Sequence, residues 1–191
     1  MRSDNLNALP PDLPVPADDG ACDHLPGLAL PAIALPSTSG GSVRLDRGGT
    51  RWTVIYAYPR TGLPDHDPPG GLAVWDAIPG ARGCTPQTCA YRDHYRELTD
   101  LGAEVYGVST QDTAYQREMV ARLHVPFAVL SDADLAWSTA LRLPTFATAG
   151  MTLIRRLTLI CSAGRIRRVF YPVFPPDADA GRVIEWLLAA L

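Results

Sequence analysis

The chain has 191 residues, of which 47% are hydrophobic and 19% are charged, enough apolar material for one folded domain of ordinary size. Its net charge of −3 argues against a basic surface for DNA or RNA. All 17 basic residues are arginines, and the lack of lysine excludes Schiff-base chemistry and a P-loop lysine. No apolar run approaches the roughly 18 residues of a membrane span, and the first residues carry no apolar signal-peptide core. We therefore expect a cytoplasmic protein that binds neither nucleic acid nor membranes.

Residues 1–25 are rich in Pro, Asp and Asn and lack hydrophobic periodicity, which predicts a flexible N-terminal arm. The remainder, residues 26–191, is predicted to form one domain. Two short strands are expected within residues 28–45, where prolines and a Gly-Gly pair interrupt the apolar residues. Residues 52–58 (WTVIYAY) form a continuous aromatic and β-branched run, which is typical of a strand buried on both faces.

The next segment, residues 62–82, is rich in Pro and Gly and is predicted to be a long inserted loop. Ordered loops of this length tend to be functional, so the segment could form a lid that selects a substrate or partner. Its apolar patch, residues 72–75, is interpreted either as an anchor for the loop or as a substrate contact.

The rest of the chain alternates between helical and extended patterns. Thr85 is the predicted N-cap of a helix that ends before Gly102. The predicted helices are 85–101, 112–123, 133–141 and 179–191, and the predicted strands are 104–109, 127–130, 154–161 and 166–170. This order predicts an α/β protein with a thioredoxin-like fold, in which a central mixed β-sheet is flanked by helices on both faces.

The cysteines indicate redox chemistry. Cys84 and Cys89 are close in a chain without an export signal, which favours redox or metal chemistry over a structural disulfide. Cys22 and Cys161 stand alone and are expected to be inert. Because Cys84 lies where a loop becomes a helix, free N–H groups and the positive end of the helix dipole favour its thiolate. The thiolate is the reacting species, so Cys84 is the predicted nucleophile.

The spacing of the pair constrains how it could be oxidised. On an intact helix the Cα atoms of Cys84 and Cys89 lie roughly 8 Å apart, whereas a disulfide tolerates at most about 7 Å. A bond between them therefore requires the first helical turns to unwind. This differs from a C-x-x-C pair, whose spacing permits a bond without rearrangement.

Several strings of the sequence occur in the same order as in a known family. They are V-I-Y-A-Y-P (54–59), R-G-C-T-P-Q-T-C-A-Y-R-D (82–93), V-S-T-Q-D (108–112), P-F-A-V-L-S-D (126–132) and R-L-T-L-I (156–160). Over residues 27–191 the chain resembles the peroxiredoxins, in particular the branch called peroxiredoxin Q or bacterioferritin comigratory protein. That branch has T-P-G-C-T-x-x-x-C-x-F-R-D around its cysteines.

The resemblance implies a thiol peroxidase for hydrogen peroxide or organic hydroperoxides. Cys84 would be the peroxidatic cysteine, which peroxide oxidises to a sulfenic acid. Cys89 would be the resolving cysteine, which forms an intramolecular disulfide that thioredoxin or a similar thiol reductant then reduces. The resemblance implies no cofactor and no metal, and we expect a monomer or a homodimer.

Arg156 matches the family arginine that supports the thiolate and the peroxide, and Arg155 is the neighbouring candidate. Strand alternation is expected to point only one of the two at the site. A guanidinium there would stabilise the thiolate and the charge that develops on the leaving oxygen.

The family motif also places a Pro and a Thr before the peroxidatic cysteine, but here those spacings hold Ala77 and Ala81. Pro59 and Thr61 follow the buried strand instead, before the insertion. We therefore predict that Pro59 shields the thiolate and Thr61 bonds a peroxide oxygen, while the insertion loops out and returns at Gly83.

Two other functions fit the same fold. A thiol-disulfide oxidoreductase is disfavoured because its usual motif is C-x-x-C. A peroxide-sensing protein would keep the cysteines but lack turnover. Rapid mixing with hydrogen peroxide separates these alternatives, because only a peroxidase oxidises Cys84 far faster than a free thiol reacts.

Overall fold

The fold is described from a computed structural model, which covers residues 5–191. Residues 1–4 of the predicted arm lie outside the described residues. The strands are β1 (Ala34–Pro36), β2 (Ser42–Arg44), β3 (Trp52–Ala57), β4 (Ala103–Ser109), β5 (Val129–Ser131), β6 (Thr145–Thr148), β7 (Met151–Ile154), β8 (Leu157–Ser162) and β9 (Arg165–Phe170). The α-helices are α1 (Leu72–Asp76), α2 (Cys84–Asp93), α3 (Tyr95–Asp100), α4 (Thr113–Leu123), α5 (Ala136–Leu141) and α6 (Asp179–Ala189). Single 3-10 turns lie at Leu45–Arg47 and Pro176–Ala178.

The central sheet has the strand order β5-β4-β3-β8-β9. Strand β3 pairs in parallel with β4 and antiparallel with β8, so the sheet is mixed. Its residues after Trp52 are all buried, as expected for a continuous run of aromatic and β-branched residues in the middle of a sheet. This confirms the predicted mixed sheet.

Helices cover both faces of the sheet because successive residues of β3 point in opposite directions. Tyr56 packs in one core cluster with residues of α2, α3, α4 and α6. Ile55 packs in a second cluster with Trp137 and Leu141 of α5. The predicted thioredoxin-like sandwich, with helices on both faces, is therefore correct.

Two predicted elements are wrong in their extent. The predicted helix over 85–101 is two helices, α2 and α3, separated by His94, whose backbone leaves helical geometry. The N-cap position belongs to Gly83 rather than Thr85, which is the second residue of α2. The cause is the left-handed backbone of Gly83, φ +95°, which turns the loop directly into the helix.

The predicted strand over 154–161 is also interrupted, since Arg155 and Arg156 separate β7 from β8. Strand β7 belongs to a separate hairpin with β6, which the sequence analysis missed. The N–H of Arg155 donates to the carbonyl oxygen of Pro144 at 2.8 Å, so the backbone here is held by the start of that hairpin instead of the central sheet.

Smaller shifts concern element starts. The strand predicted at 127–130 begins at Val129, and the helix predicted at 133–141 begins at Ala136. The segment 62–82 contains helix α1, whose Trp75 packs against Ala81 and Leu153. Within residues 5–191, no helix is both long and apolar enough to cross a membrane.

Candidate active site

The thiol of Cys84 lies at the first turn of α2 and is only 3% exposed. Its position depends on Gly83, because a Cβ at residue 83 would overlap the ring of Pro176 and the side chain of Leu9. Glycine is thus required both by the left-handed backbone and by close packing. The result is a sulfur held at the positive end of a helix, an environment that favours an anion.

The guanidinium of Arg156 contacts this sulfur. Its Nη2 lies 3.1 Å from Sγ of Cys84 and also donates to the carbonyl oxygens of Gly80 at 3.1 Å and Arg82 at 2.9 Å. Arg156 is 3% exposed, so this charge acts with little screening by water. Of the two candidate arginines, the one beside Cys84 is Arg156, whereas Arg155 is half-buried.

A buried amide and carboxylate lie on the other side of Arg156. Nη1 of Arg156 donates to Oε1 of Gln87, and Nε2 of Gln87 donates to Oδ2 of Asp179 at 2.8 Å. The same Oδ2 accepts from Tyr91 at 2.9 Å and from Thr158 at 2.7 Å. Burial raises the pKa of Asp179, and these three donors and the Arg156 charge oppose the rise.

Thr61 is buried and is held by Gln111, which follows β4. Its backbone N–H and its hydroxyl both donate to Oε1 of Gln111, at 3.0 and 3.1 Å, and Nε2 of Gln111 donates back to the Thr61 carbonyl at 3.3 Å. The hydroxyl of Tyr115 donates to the same carbonyl at 3.0 Å. Thr61 is thereby fixed at the start of the insertion.

A cavity of about 110 Å³ opens onto the thiol. Cys84 and Thr61 both line it, and so do Arg60 and Tyr115, whose ring lies 4.4 Å from the Arg60 guanidinium. The remaining lining residues come from the N-terminal arm, the insertion and the start of α2: Leu6, Ala8, Gly62, Leu63, Asp67, Pro68, Pro69, Trp75, Ala81, Arg82, Gly83 and Thr85. Pro59 is buried after β3 but is not among the lining residues. Within the patch 72–75, Trp75 both anchors the insertion and lines the cavity, whereas Ala73 and Val74 are exposed.

Cys89 lies on the same helix as Cys84 but outside the cavity lining. It is half-buried against the cluster on the α2 face of the sheet, and burial raises its pKa. All four cysteines are free thiols. Since α2 is intact, the helical rise keeps the Cα atoms of the pair roughly 8 Å apart.

The two isolated cysteines are poor nucleophiles. Burial raises the pKa of Cys22 and that of Cys161 to about 12, so both thiols are protonated near neutral pH. No group of three or more His, Cys, Asp or Glu in the described part of the chain could hold a metal ion.

Of the five site residues predicted from the sequence, Cys84 and Thr61 line the cavity and Arg156 contacts Cys84, whereas Cys89 and Pro59 lie outside the lining. The residues that hold Arg156 and Thr61 were not predicted. Gln87 is separated from Arg156 by 69 positions, and Gln111 from Thr61 by 50. The sequence signal for Gln87 was its position one turn after Cys84 on the same helix. No feature of the sequence pointed to Asp179.

Comparison with known proteins identifies the family. The Redoxin family model matches residues 25–184. The chain is 29% identical over 162 residues to a chloroplastic peroxiredoxin Q of Oryza sativa subsp. japonica, covering 84% of this chain and 65% of the relative. It is 31% identical over 128 residues to peroxiredoxin bcp1 of Schizosaccharomyces pombe, covering 65% of this chain and 56% of that protein. The chain thus spans less than two thirds of the length of these relatives.

The fold is also that of solved structures. The crystal structure of peroxidoxin BcpB from Mycobacterium tuberculosis superposes with a TM-score of 0.71 at 22% identity, covering 88% of this chain and 99% of that one. Because the family model spans most of the chain and the relatives are peroxiredoxins, the chain belongs to the Redoxin family.

Proposed function

We propose that this protein is a thiol peroxidase in which Cys84 reduces hydrogen peroxide or organic hydroperoxides. The observation that carries the proposal is the Arg156 guanidinium 3.1 Å from a buried sulfur at a helix N-terminus that faces a cavity. Both positive groups favour the thiolate and the charge on a leaving oxygen. The similarity to peroxiredoxin Q and peroxiredoxin bcp1 supports the same activity.

In the first half-reaction the Cys84 thiolate attacks the terminal oxygen of the hydroperoxide. A sulfur–oxygen bond forms, the oxygen–oxygen bond breaks, and the leaving oxygen takes a proton and departs as water or an alcohol. Cys84 becomes a sulfenic acid. Arg156 stabilises the leaving oxygen, and the Thr61 hydroxyl accepts a hydrogen bond from the peroxide. Pro59, which is buried after β3 but does not line the cavity, shields the thiolate from the side of the sheet rather than at the entrance.

In the second half-reaction the Cys89 thiolate attacks the sulfenic sulfur. A disulfide forms and hydroxide leaves, to be protonated to water. Since a disulfide tolerates at most about 7 Å between Cα atoms, the first turns of α2 must unwind for this step. An external dithiol such as thioredoxin then supplies two electrons by exchange.

This cycle needs one chain, so it is compatible with a monomer or a homodimer. A cytoplasmic location, where reduced thiols are maintained, forms part of the proposal.

Rapid mixing of the reduced protein with hydrogen peroxide tests the proposal. We expect the wild type to be oxidised orders of magnitude faster than a free thiol, and Cys84→Ser to consume no peroxide, because its hydroxyl does not form an anion. The matched control is Cys161→Ala, which removes a buried thiol outside the site and should react as the wild type does. Substantial peroxide consumption by Cys84→Ser would overturn the assignment.

A further inference from the structure

The carboxylate of Asp179 has no part in the chemistry above, yet it is fully buried. It is connected to the sulfur of Cys84 by hydrogen bonds that run through Gln87 and Arg156. We propose that Asp179 is a positioning residue, which holds the Gln87 amide in the orientation that fixes Arg156 against Cys84. The inference rests on the proposed peroxidase function.

Asp179 determines which way the Gln87 amide faces. A glutamine side chain carries a donor NH₂ on one side and an acceptor oxygen on the other, so fixing one side determines what the other side offers. The carboxylate of Asp179 accepts from Nε2, which leaves Oε1 facing Arg156. Without the carboxylate the amide can turn over and present its NH₂ group to the guanidinium, which has only donors.

The Gln87 amide in turn holds one end of the Arg156 guanidinium. Its Nη2 binds loop carbonyl oxygens and the sulfur, whereas Nη1 is held by Gln87 from α2. The guanidinium is rigid and planar, so losing the acceptor at Nη1 lets the group pivot about the contacts that remain at Nη2. A displacement of about 1 Å is sufficient to lower a rate substantially when charge must be stabilised at one point.

A purely structural role for Asp179 explains less of the geometry. An acidic residue in the first turn of a helix interacts favourably with the helix dipole. However, the side-chain donors to Oδ2 belong to α2 and β8, and α6 has no side-chain N-cap hydrogen bond. The carboxylate is therefore directed at the helix that carries Cys84.

Stopped-flow oxidation by hydrogen peroxide, combined with a double-mutant cycle, tests this inference. We expect Asp179→Ala and Gln87→Ala each to slow oxidation of Cys84 by about 10- to 100-fold. The double variant should be no slower than the slower single variant, because both substitutions remove the same constraint on Arg156. Asp179→Leu, which keeps the branched shape of the side chain without its polar atoms, replaces Asp179→Ala if the alanine variant does not fold.

Two further variants separate positioning from stability. Asp179→Asn retains an oxygen for the three donors, so the oxidation rate should recover to within about fivefold of the wild type. Tyr91→Phe removes another donor to the same carboxylate oxygen and leaves the Gln87 bond intact. It should lower the free energy of unfolding without the loss of rate seen for Asp179→Ala.

Wild-type oxidation rates in both folded Asp179→Ala and Asp179→Leu, or independent losses in the double variant, would overturn the inference while the peroxidase function stands. If the wild type itself fails to react with peroxide, the proposed function fails instead. In that case the crystal structure of Asp179→Ala tests the positioning role by showing where the Arg156 guanidinium lies. A displaced Arg156 guanidinium supports it, and an unmoved contact with Cys84 overturns it.

Discussion

Arg156 places a positive charge in a site where its side chain is only 3% exposed, so neighbouring groups must compensate for the lost hydration. Burying a guanidinium is costly unless its donors are bonded and its charge is compensated. Carbonyl oxygens and the Gln87 amide satisfy donors but carry no charge. The ionisable groups nearest to it in the network are Cys84, in direct contact, and Asp179, through Gln87. The Cys84 sulfur is therefore the ionisable group that the guanidinium contacts directly.

Replacing this arginine should slow the first oxidation. We expect Arg156→Ala to react with hydrogen peroxide about 100- to 1000-fold more slowly, the usual loss when one donor to a developing negative charge is removed. Arg155→Ala is the matched control, because its half-buried side chain lies next in sequence. Stopped-flow rates of both variants make the comparison, and a larger loss in Arg155→Ala would contradict the assigned role.

Resolution by Cys89 should depend on pH. Burial in the intact α2 raises the pKa of Cys89. Unwinding relieves that burial, but a free thiol, with a pKa of about 8.5, is itself mostly protonated at neutral pH. Below that pKa the thiolate fraction grows tenfold per pH unit, and disulfide formation should accelerate by up to about tenfold from pH 7 to pH 8. Quenching with a thiol-blocking reagent followed by mass spectrometry measures the rate.

The control for this step is Cys89→Ser. With one equivalent of peroxide its Cys84 should remain a sulfenic acid, and excess peroxide should oxidise it further to the sulfinic acid. A disulfide rate in the wild type that stays constant from pH 7 to pH 9 would contradict the role of Cys89 ionisation.

The sequence predicts the reactive residues better than their supports. Cys84 and Arg156 belong to local strings that resemble the peroxiredoxin pattern, so both could be named before the fold was known. The supports are polar residues whose partners lie far along the chain, such as Gln87 and Asp179, separated by 92 positions. A hydrogen bond of that kind leaves no periodicity, and tertiary packing alone reveals it.

At the scale of elements, strand β3 could be predicted from its sequence, whereas strands β6 and β7 could not. Strand β3 is a buried apolar run and was predicted within one residue. The β6 strand alternates between exposed and half-buried residues, and β7 has a mixed pattern, so neither has a continuous apolar signal. The sequence does carry a signal for the turn between them, namely Gly150. Ala149 and Gly150 both have positive φ, a conformation that glycine favours.

Helix α2 is the element that would have to change in the proposed cycle. Peroxide should convert the wild type into a form with a Cys84–Cys89 disulfide and a weaker far-UV circular dichroism signal at helical wavelengths, because the helix keeps the two Cα atoms apart. A dithiol should restore the signal. Trypsin cleavage after Arg82 and Arg92 releases both cysteines in one peptide, whose mass should fall by two hydrogens.

Cys89→Ser provides the control for α2, since it takes up an oxygen atom but should keep its helical signal. A disulfide from Cys84 to Cys161, to Cys22 or to a second chain would refute the pairing while leaving the peroxidase function intact. An intramolecular Cys84–Cys89 bond with unchanged circular dichroism would refute the unwinding.

At the scale of the whole molecule, two segments outside the central sheet meet over the thiol. Leu6 and Ala8 of the N-terminal arm line the cavity, and Leu9 packs beside Gly83. Trp75 of the insertion lines the same cavity and is anchored against Leu153. The N-terminal arm and the insertion thus both contribute to the entrance to Cys84. In the sequence both segments are only recognisable as rich in proline.

This arrangement predicts that the arm limits the size of the substrate. Leu6→Ala should raise the rate of Cys84 oxidation by cumene hydroperoxide relative to hydrogen peroxide by about tenfold, because a smaller side chain leaves room for the aromatic group. Val15→Ala is the matched control, since it also shortens an apolar side chain of the arm but at a position that is 66% exposed. Stopped-flow rates with the two peroxides give the ratio for each variant. An equal ratio in Leu6→Ala and the wild type would show that the arm does not select the substrate.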